Sequence, residues 1–284
     1  MKPAKAATSI IVPATAGVPN IMMMRTAILF AYLAGGASAQ WIHYPVPGTP
    51  RTADGKPNLT APVPKAPDGK PDLSGIWLRV RPAGSPGGPE FGNTVTYYMA
   101  PGATVPLRPW AAELLKKRRY VDLGGGRPSE ACLPHGIIGG MLPTVPFKLV
   151  QHPGLTLMLY EQLNHYRQIF TDGRTRPDDM QPSWYGYSIG YWEGDTFVID
   201  TQGFNDKTWL DDSGHPHTEA MRTYERFHRI DFGHMNLEIT IDDPVAYTAP
   251  WTVTLHLELM PDTEMIEDVC DNEKDAAHYD ALHR

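Results

Sequence analysis

The chain has few cysteines and lacks the short motifs that mark nucleotide, haem or Cys-rich zinc sites. Cys132 and Cys270 are its only two cysteines, so it contains neither a CxxC pair nor a CxxCH haem-attachment motif. It also has no P-loop and no dinucleotide-binding glycine fingerprint. The sequence therefore disfavours nucleotide, haem and structural zinc as cofactors.

Positive charge is scarce as well. The chain carries 25 Lys and Arg against 32 Asp and Glu, which gives a formal net charge of −7. Nucleic acids and anionic lipids bind to a concentrated positive surface. We therefore expect no nucleic-acid partner and no charge-driven attachment to a membrane.

The apolar run near the N-terminus is too short for a membrane span and has the features of a secretory signal. Arg25 precedes the apolar residues 27–33, and 37–39 read Ala-Ser-Ala, which suits a signal peptidase. A spanning helix needs about 20 apolar residues. We expect Met24 to be the true start, residues 1–39 to be absent from the mature protein, and a periplasmic or secreted location without membrane insertion.

The two cysteines fit this location. In an oxidising compartment an even pair is expected to form a disulfide, here Cys132–Cys270. A reactive thiol or a metal-binding thiolate is the alternative interpretation. The bridge would connect a loop to a predicted last strand at residues 265–270.

Proline and glycine, in contrast, are abundant at the start of the predicted mature chain. The sequence PRTADGKPNLTAP (residues 50–62) is nearly repeated as PKAPDGKPDLSGIW (residues 64–77). Such segments form turns at Asp-Gly and extended backbone, and they bury little apolar surface. We predict an extended arm at residues 40–72 that wraps the body. A docking motif for a protein partner is the alternative.

The rest of the chain, residues 73–284, is predicted to be one mainly β domain with a helix at residues 107–119. Apolar and polar residues alternate with the period of two that is typical of strands. The predicted strands are residues 73–80, 155–160, 165–171, 187–192, 195–202, 222–230, 234–241, 251–259 and 265–270. Nine short strands with hairpin connections favour an antiparallel up-and-down barrel, and a two-sheet sandwich is the competing fold.

Several segments carry a family resemblance. They are PDLSGIW (71–77), EACLPHG (130–136), YEQLNHYRQIFTDGR (160–174), PSWYGYSIGYWEGDTFVIDTQGFND (182–206) and CDNEKD (270–275). Together they resemble a family of secreted proteins of environmental Gram-negative bacteria. The resemblance implies secretion and a lipocalin-like barrel, and it transfers no activity and no catalytic residue. The family pattern after the first cysteine is Leu-Pro-Pro-Gly, and here His135 replaces the second proline.

Residues 186–190, GYSIG, match the G-x-S-x-G nucleophile motif of serine hydrolases in sequence but not in the predicted structural context. That motif requires a sharp turn between a strand and a helix, with the serine at the turn. Here Ser188 lies within a predicted strand and another strand follows. We therefore interpret the match as accidental.

The segment WLDDSGHPHTE, residues 209–219, is a candidate catalytic or metal-binding loop. His215, His217 and Glu219 alternate, so an extended backbone would point all three to one side, where they could bind a divalent metal. Without a metal, His217 could act as a general base that is oriented by Asp211, Asp212 or Glu219. The alternative is a solvated loop at the barrel rim.

Aromatic and charged residues supply candidate ligand contacts. The aromatic candidates are Trp184, Tyr187, Trp192, Phe204 and Trp209, in a region that also contains Tyr185 and Tyr191. Flat, partly polar rings suit stacking on sugar or phenolic rings, although core packing explains them almost as well. Arg167 and Glu225 lie within predicted strands, and if they face the interior they must be paired.

These patterns favour a barrel that binds an apolar, phenolic or sugar-like small molecule at one mouth, which residues 204–219 would surround. The first alternative is a barrel lyase, isomerase or hydrolase. It would use His217 as base, Asp212 or Glu219 as its partner, and Arg167 to pair a substrate anion. The second alternative is an interaction protein that binds a partner through its arm.

Overall fold

The structure, a computed structural model, describes residues 44–82, 93–121 and 127–270. The predicted signal segment lies outside the described residues. The nine strands are β1 (Gly75–Arg79), β2 (Phe147–His152), β3 (Leu155–Tyr160), β4 (His165–Phe170), β5 (Tyr187–Glu193), β6 (Thr196–Gln202), β7 (Arg222–Arg229), β8 (His234–Asp242) and β9 (Trp251–Leu259). They form a closed barrel in chain order, in which β1 pairs with β9. The prediction of a mainly β, lipocalin-like barrel is confirmed.

The alternation of apolar residues explains how the barrel closes around its core. In β9 the odd-numbered residues are buried and most of the even-numbered ones are exposed. Directly opposite residues on neighbouring strands share a face, so Phe197, Phe227, Leu237 and Leu255 form one row across β6 to β9. All four are at most 1% exposed. The interior is therefore packed with side chains.

One strand pair departs from the predicted antiparallel arrangement. β4 and β5 run parallel and pair only at Ile169↔Ser188 and Phe170↔Ile189. The connection between them, residues 171–186, is long enough to return the chain to the opposite end of the barrel. A short hairpin cannot do this, because it reverses the strand direction.

Two strand predictions were wrong. β2 was missed, because FKLVQH is a short segment and Val150 directly follows Leu149, which breaks the apolar–polar alternation. Residues 265–270, predicted as the last strand, contain no regular structure. The predicted helix is confirmed as α1 (Pro109–Val121), and Trp110 near its start is 42% exposed.

One end of the barrel, here called the loop end, is closed by packed segments. They are a 3₁₀ turn at Val95–Tyr98, the short helix α2 (Gly136–Gly139), and the connection between β6 and β7 at residues 203–221. Val95, Ile137, Ile138 and Leu210 from these segments belong to the hydrophobic core. The structure therefore places the histidine-bearing segment against a filled barrel end.

The near-repeated arm packs on the opposite end, here called the arm end. Both repeats fold the same way around their Asp-Gly turns. The matching backbone bonds are Thr52 N to Lys56 O, Asn58 N to Pro50 O, Ala66 N to Lys70 O and Asp72 N to Pro64 O, at 2.8–2.9 Å. Carbonyls of Leu59 and Ala61 accept hydrogen bonds from Gly233 and Phe232 in the β7–β8 turn. Arm and barrel belong to one compact unit, residues 41–284.

The disulfide prediction is confirmed. Cys132 and Cys270 are bonded and lie 138 positions apart. Cys132 follows a 3₁₀ turn at Pro128–Ala131, so the bridge joins two irregular segments. Among the described residues, none of the helices is both long and apolar enough to cross a membrane.

Candidate functional site

The short parallel pairing of β4 and β5 opens a crevice in the barrel wall. Residues 165–168, which precede Ile169 in β4, have no partner in β5. The two strands therefore separate on the side of Ile169 that faces the loop end. The crevice has a volume of about 410 Å³. Its lining consists of Tyr166, Arg167, Gln168, Phe170, Ser183, Trp184, Tyr185, Gly186 and Tyr187.

Aromatic rings form the walls of this crevice. Phe170 on β4 stacks on Tyr187 on β5, with ring centroids 5.1 Å apart. Tyr185 stacks on the buried Tyr160 at 5.3 Å. Tyr166 is 63% exposed at the opening. Flat ring faces at a surface opening are suited to stacking against a ligand ring.

Gly186 allows the chain to enter β5 at this position. Its φ of +62° lies in the left-handed region that favours glycine. A Cβ atom at this position would lie 2.7 Å from the carbonyl oxygen of Gln202 and 2.7 Å from a methyl group of Thr201. Gly186 therefore holds β5 close to β6 while Tyr185 and Tyr187 line the crevice on either side.

The floor of the crevice includes Arg167, which belongs to a buried ion pair. Arg167 donates to both carboxylate oxygens of Glu225, at 2.8 and 2.7 Å, and the two side chains are at most 1% exposed. Arg167 also donates to the hydroxyls of Ser188 and Thr201, at 2.9 and 2.6 Å. Burial alone would lower the pKa of Arg167, but the carboxylate of Glu225 outweighs burial and raises it. The floor is thus charged but internally neutralised.

The tyrosines around this floor stay protonated at neutral pH. Burial raises the pKa of Tyr160 and of Tyr185, and the nearby Arg167 offsets only part of this effect. A neutral phenol can donate a hydrogen bond but does not act as a base. The crevice therefore offers aromatic faces and neutral hydroxyls rather than a proton acceptor.

Ser188 has a structural role in place of a nucleophilic one. It lies inside β5, is fully buried, and bonds to Arg167 and Thr201. The second glycine of the motif, Gly190, packs against Phe197, whose ring would lie 2.7 Å from an added Cβ. The turn that a nucleophile elbow requires is absent from this strand.

The histidine segment is packed, so the alternative interpretation of a solvated rim loop was wrong. Asp211, 3% exposed, is its organising residue. Its carboxylate accepts hydrogen bonds from His215 Nδ1, the backbone N–H groups of His215 and Val95, and the hydroxyl of Thr94, at 2.8–3.1 Å. Burial by itself raises the pKa of Asp211, but the bonds from His215 and Val95 outweigh burial and lower it.

The predicted acid–base and metal residues do not converge. His217 is 4% exposed, and its Nε2 bonds to the hydroxyl of Thr208. Asp212 instead bonds to Asn93 at 2.8 Å and pairs with Arg127 at 3.2 Å. Burial lowers the pKa of His217, which keeps it neutral. This geometry argues against His217 as a base partnered by Asp212.

The metal hypothesis fails for a similar reason. His215 bonds to Asp211 and His217 to Thr208, while Glu219 is exposed. Within the ranges that the structure describes, no group of three or more His, Cys, Asp or Glu side chains is arranged to hold a metal ion.

The predicted aromatic ligand residues are divided between different environments. Trp184 and Tyr187 line the crevice. Phe204 is buried in the core, Trp192 packs on Phe197 at 5.1 Å, and Trp209 lies under the Arg118 guanidinium at 4.7 Å. The last three therefore serve packing.

The expected pocket at the mouth is filled. Between α2 and the 203–221 connection the structure leaves a cavity of about 10 Å³, lined in part by His135, Trp184 and Phe204. This volume accommodates about one water molecule. The crevice described above therefore lies in the barrel wall and not at this mouth.

Tyr166, Gln168 and Phe170 line the crevice but were not predicted as site residues from the sequence. The signal was present in HYRQIF, because alternation in β4 places these three on the face opposite to Arg167 and Ile169. Aromatic side chains that are exposed on the outer face of a strand can indicate a binding surface, because solvated strand positions are usually polar.

Comparison of the chain with protein-family models, curated proteins and solved structures finds no match.

Proposed function

We propose that this protein is a periplasmic or secreted small-molecule-binding barrel whose site is the crevice between β4 and β5. The observation that carries the proposal is the aromatic lining of an open space of about 410 Å³, with Phe170 stacked on Tyr187 and Tyr166 exposed at the entrance. Pockets of about 300–1,000 Å³ with aromatic walls and a few polar groups are typical of small-ligand sites.

The cations around the crevice are paired, which favours a neutral ligand. Arg174, whose guanidinium lies 3.9 Å from the ring centroid of Phe170, pairs with Asp172 at 2.6 Å. The cation that lines it, Arg167, is already paired with Glu225. The remaining lining consists of aromatic, amide, hydroxyl and glycine groups. A ligand with a ring to stack and hydroxyls to bond to Gln168 or the tyrosines fits this chemistry, as a phenolic or sugar-like molecule does.

The disulfide supports the proposed location. Disulfides form and persist in the periplasm and outside the cell, and they are rare in the cytosol. The Cys132–Cys270 bridge is consistent with function in such a compartment.

A calorimetric titration tests the proposal with three neutral probes: 4-hydroxybenzyl alcohol, methyl β-glucopyranoside and cyclohexanol. We expect either the phenol or the glucoside to bind, and we expect cyclohexanol to bind at least tenfold more weakly than that probe. Tyr187→Ala should weaken binding about tenfold, since it removes a stacking face. Tyr191→Ala is the matched control, because Tyr191 lies on the same strand, is 43% exposed and does not line the crevice.

Two results would refute the proposal. One is that neither the phenol nor the glucoside binds to the wild-type protein. The other is that Tyr187→Ala and Tyr191→Ala change the affinity by the same factor, which would place the ligand elsewhere.

A further inference from the structure

A separate cavity of about 300 Å³ lies at the arm end, between the arm and the barrel. The arm contributes Val46 to its wall, and β1 contributes Ile76. Phe232 from the β7–β8 turn and Leu259 at the end of β9 add further apolar surface. The cavity shares no lining residue with the crevice.

The buried cation of this cavity is Arg229, which is 4% exposed. Its guanidinium donates to three backbone carbonyls, those of Asp72, Asp231 and Phe232. It also lies over the ring of Trp77, 4.9 Å from the centroid. Burial lowers the pKa of Arg229 to about 10, so it remains charged at neutral pH.

Arg229 has no ion-pair partner among the carboxylates of the described residues. Asp72, which lines the same cavity, directs its carboxylate to the backbone N–H of Ser74 at 2.9 Å. Glu264 pairs with Lys148 at 3.4 Å. A buried charge is costly unless an opposite charge compensates it. The carboxylates of Asp72 and Asp231 lie near enough to raise the pKa of Arg229, but neither forms an ion pair with its guanidinium. The cavity thus contains a positive charge without a direct carboxylate partner among the described residues.

We propose that this cavity binds a small carboxylate with an apolar body. The carboxylate binds next to Arg229. The guanidinium has five N–H groups and donates three of them to backbone carbonyls, which leaves two for the ligand. The apolar body packs against Ile76, Phe232 and Leu259. This site is independent of the crevice. It binds an anion, whereas the crevice binds a neutral ring.

The test compares octanoate with octan-1-ol, which has the same chain length and no charge, by isothermal titration calorimetry. We expect octanoate to bind at least tenfold more tightly. Val46→Trp should fill the cavity from the arm side and reduce octanoate affinity at least tenfold. Val245→Trp is the matched control, because Val245 is 49% exposed in the β8–β9 connection at the loop end.

A measurement on the wild-type chain keeps the test valid even if Val46→Trp fails to fold. Octanoate should shift the methyl NMR signals of Ile76 and Leu259, and octan-1-ol should shift them less. The proposal is overturned if octanoate does not bind, if both compounds bind equally, or if those methyl signals do not move. Octanoate affinity should be unchanged in Tyr187→Ala, which separates this result from the outcome at the crevice.

Discussion

Arg167 on β4 and Glu225 on β7 are 58 positions apart and form a bidentate ion pair inside the barrel, with N–O distances of 2.8 and 2.7 Å. The pair spans the interior from one wall to another and fixes the floor of the crevice. Ser188 and Thr201 satisfy further guanidinium N–H groups. The crevice thus rests on a polar network within an otherwise apolar core.

Breaking this pair on one side should be strongly destabilising. We expect Glu225→Leu to lower the free energy of unfolding by about 3–5 kcal/mol, because it leaves the Arg167 charge buried and unpaired. The double substitution Arg167→Met with Glu225→Leu should recover most of that loss. Urea denaturation measures both effects.

The control for this experiment is the exposed pair between Arg226 and Glu193, at 2.7 Å. Glu193→Gln should cost less than about 1 kcal/mol, since solvent screens a surface pair. If Glu225→Leu costs no more than Glu193→Gln, the buried network does not have the importance assigned to it here.

Much of the fold follows from local alternation, but the crevice does not. The buried residues of β9 alternate with more exposed ones as the sequence pattern indicates, so most of the strands and the closure of the barrel could be predicted. The parallel pairing of β4 and β5 depends on the path of residues 171–186, which no local pattern encodes. For the same reason, strand alternation could show that Glu225 and Arg226 face opposite ways, but not that Glu225 meets Arg167.

The histidine segment shows a different limit. Asp211 was predicted from the sequence as one of three residues that could orient His217, but it bonds to His215 instead. The sequence could not show that the segment is buried, because its polar composition is that of a solvated loop. Burial arises from Val95 and α2, which pack against the segment from distant parts of the chain.

Gly186 should be sensitive to any side chain for steric reasons. We expect Gly186→Ala to destabilise the protein by at least about 2 kcal/mol, because backbone strain and overpacking against Gln202 and Thr201 act together. Gly194→Ala is a close control, since Gly194 has φ +61° and no atom within 4 Å of the added Cβ. Its cost should be that of the backbone conformation alone, about 1 kcal/mol.

Thermal or urea denaturation of the two alanine variants separates these contributions. Equal losses at Gly186 and Gly194 would show that the approach of β5 to β6 is looser than the structure indicates. A larger loss at Gly186, with weaker binding of the crevice ligand, is the expected pattern.

His217 should make the protein less stable in mild acid. Burial lowers the pKa of His217 below its ordinary 6.5, so the unfolded chain takes up a proton more readily than the folded one. The free energy of unfolding therefore falls as the pH drops below about 6.5. His135 and His165, whose pKa values burial also lowers, add to the effect.

Denaturation at pH 7 and pH 5 checks this prediction. His217→Gln should reduce the loss of stability between the two pH values, and the exposed His152→Gln should leave it unchanged. A wild-type protein that is more stable at pH 5 than at pH 7 would contradict the assignment of these histidines as buried and neutral.

Arg79 is a buried cation whose replacement should be stabilising. It is 3% exposed, and its three guanidinium nitrogens have no hydrogen-bond partner in the described part of the chain. Its positive charge lies 5.4 Å from the ring centroid of Tyr98, and burial lowers its pKa. Arg79→Met keeps the length of the side chain and removes the charge. We expect it to raise the free energy of unfolding by about 1–4 kcal/mol in urea denaturation. A loss of stability would instead show that the guanidinium has a partner in the folded protein.

The position of the binding site is tested most directly by mapping backbone amide NMR shifts during titration with the tightest-binding neutral probe. We predict that the shifts concentrate at residues 165–170 of β4 and 183–188 at the entry to β5. Shifts that concentrate at residues 204–219 of the loop end, or at the arm-end turns, would contradict a site in the barrel wall.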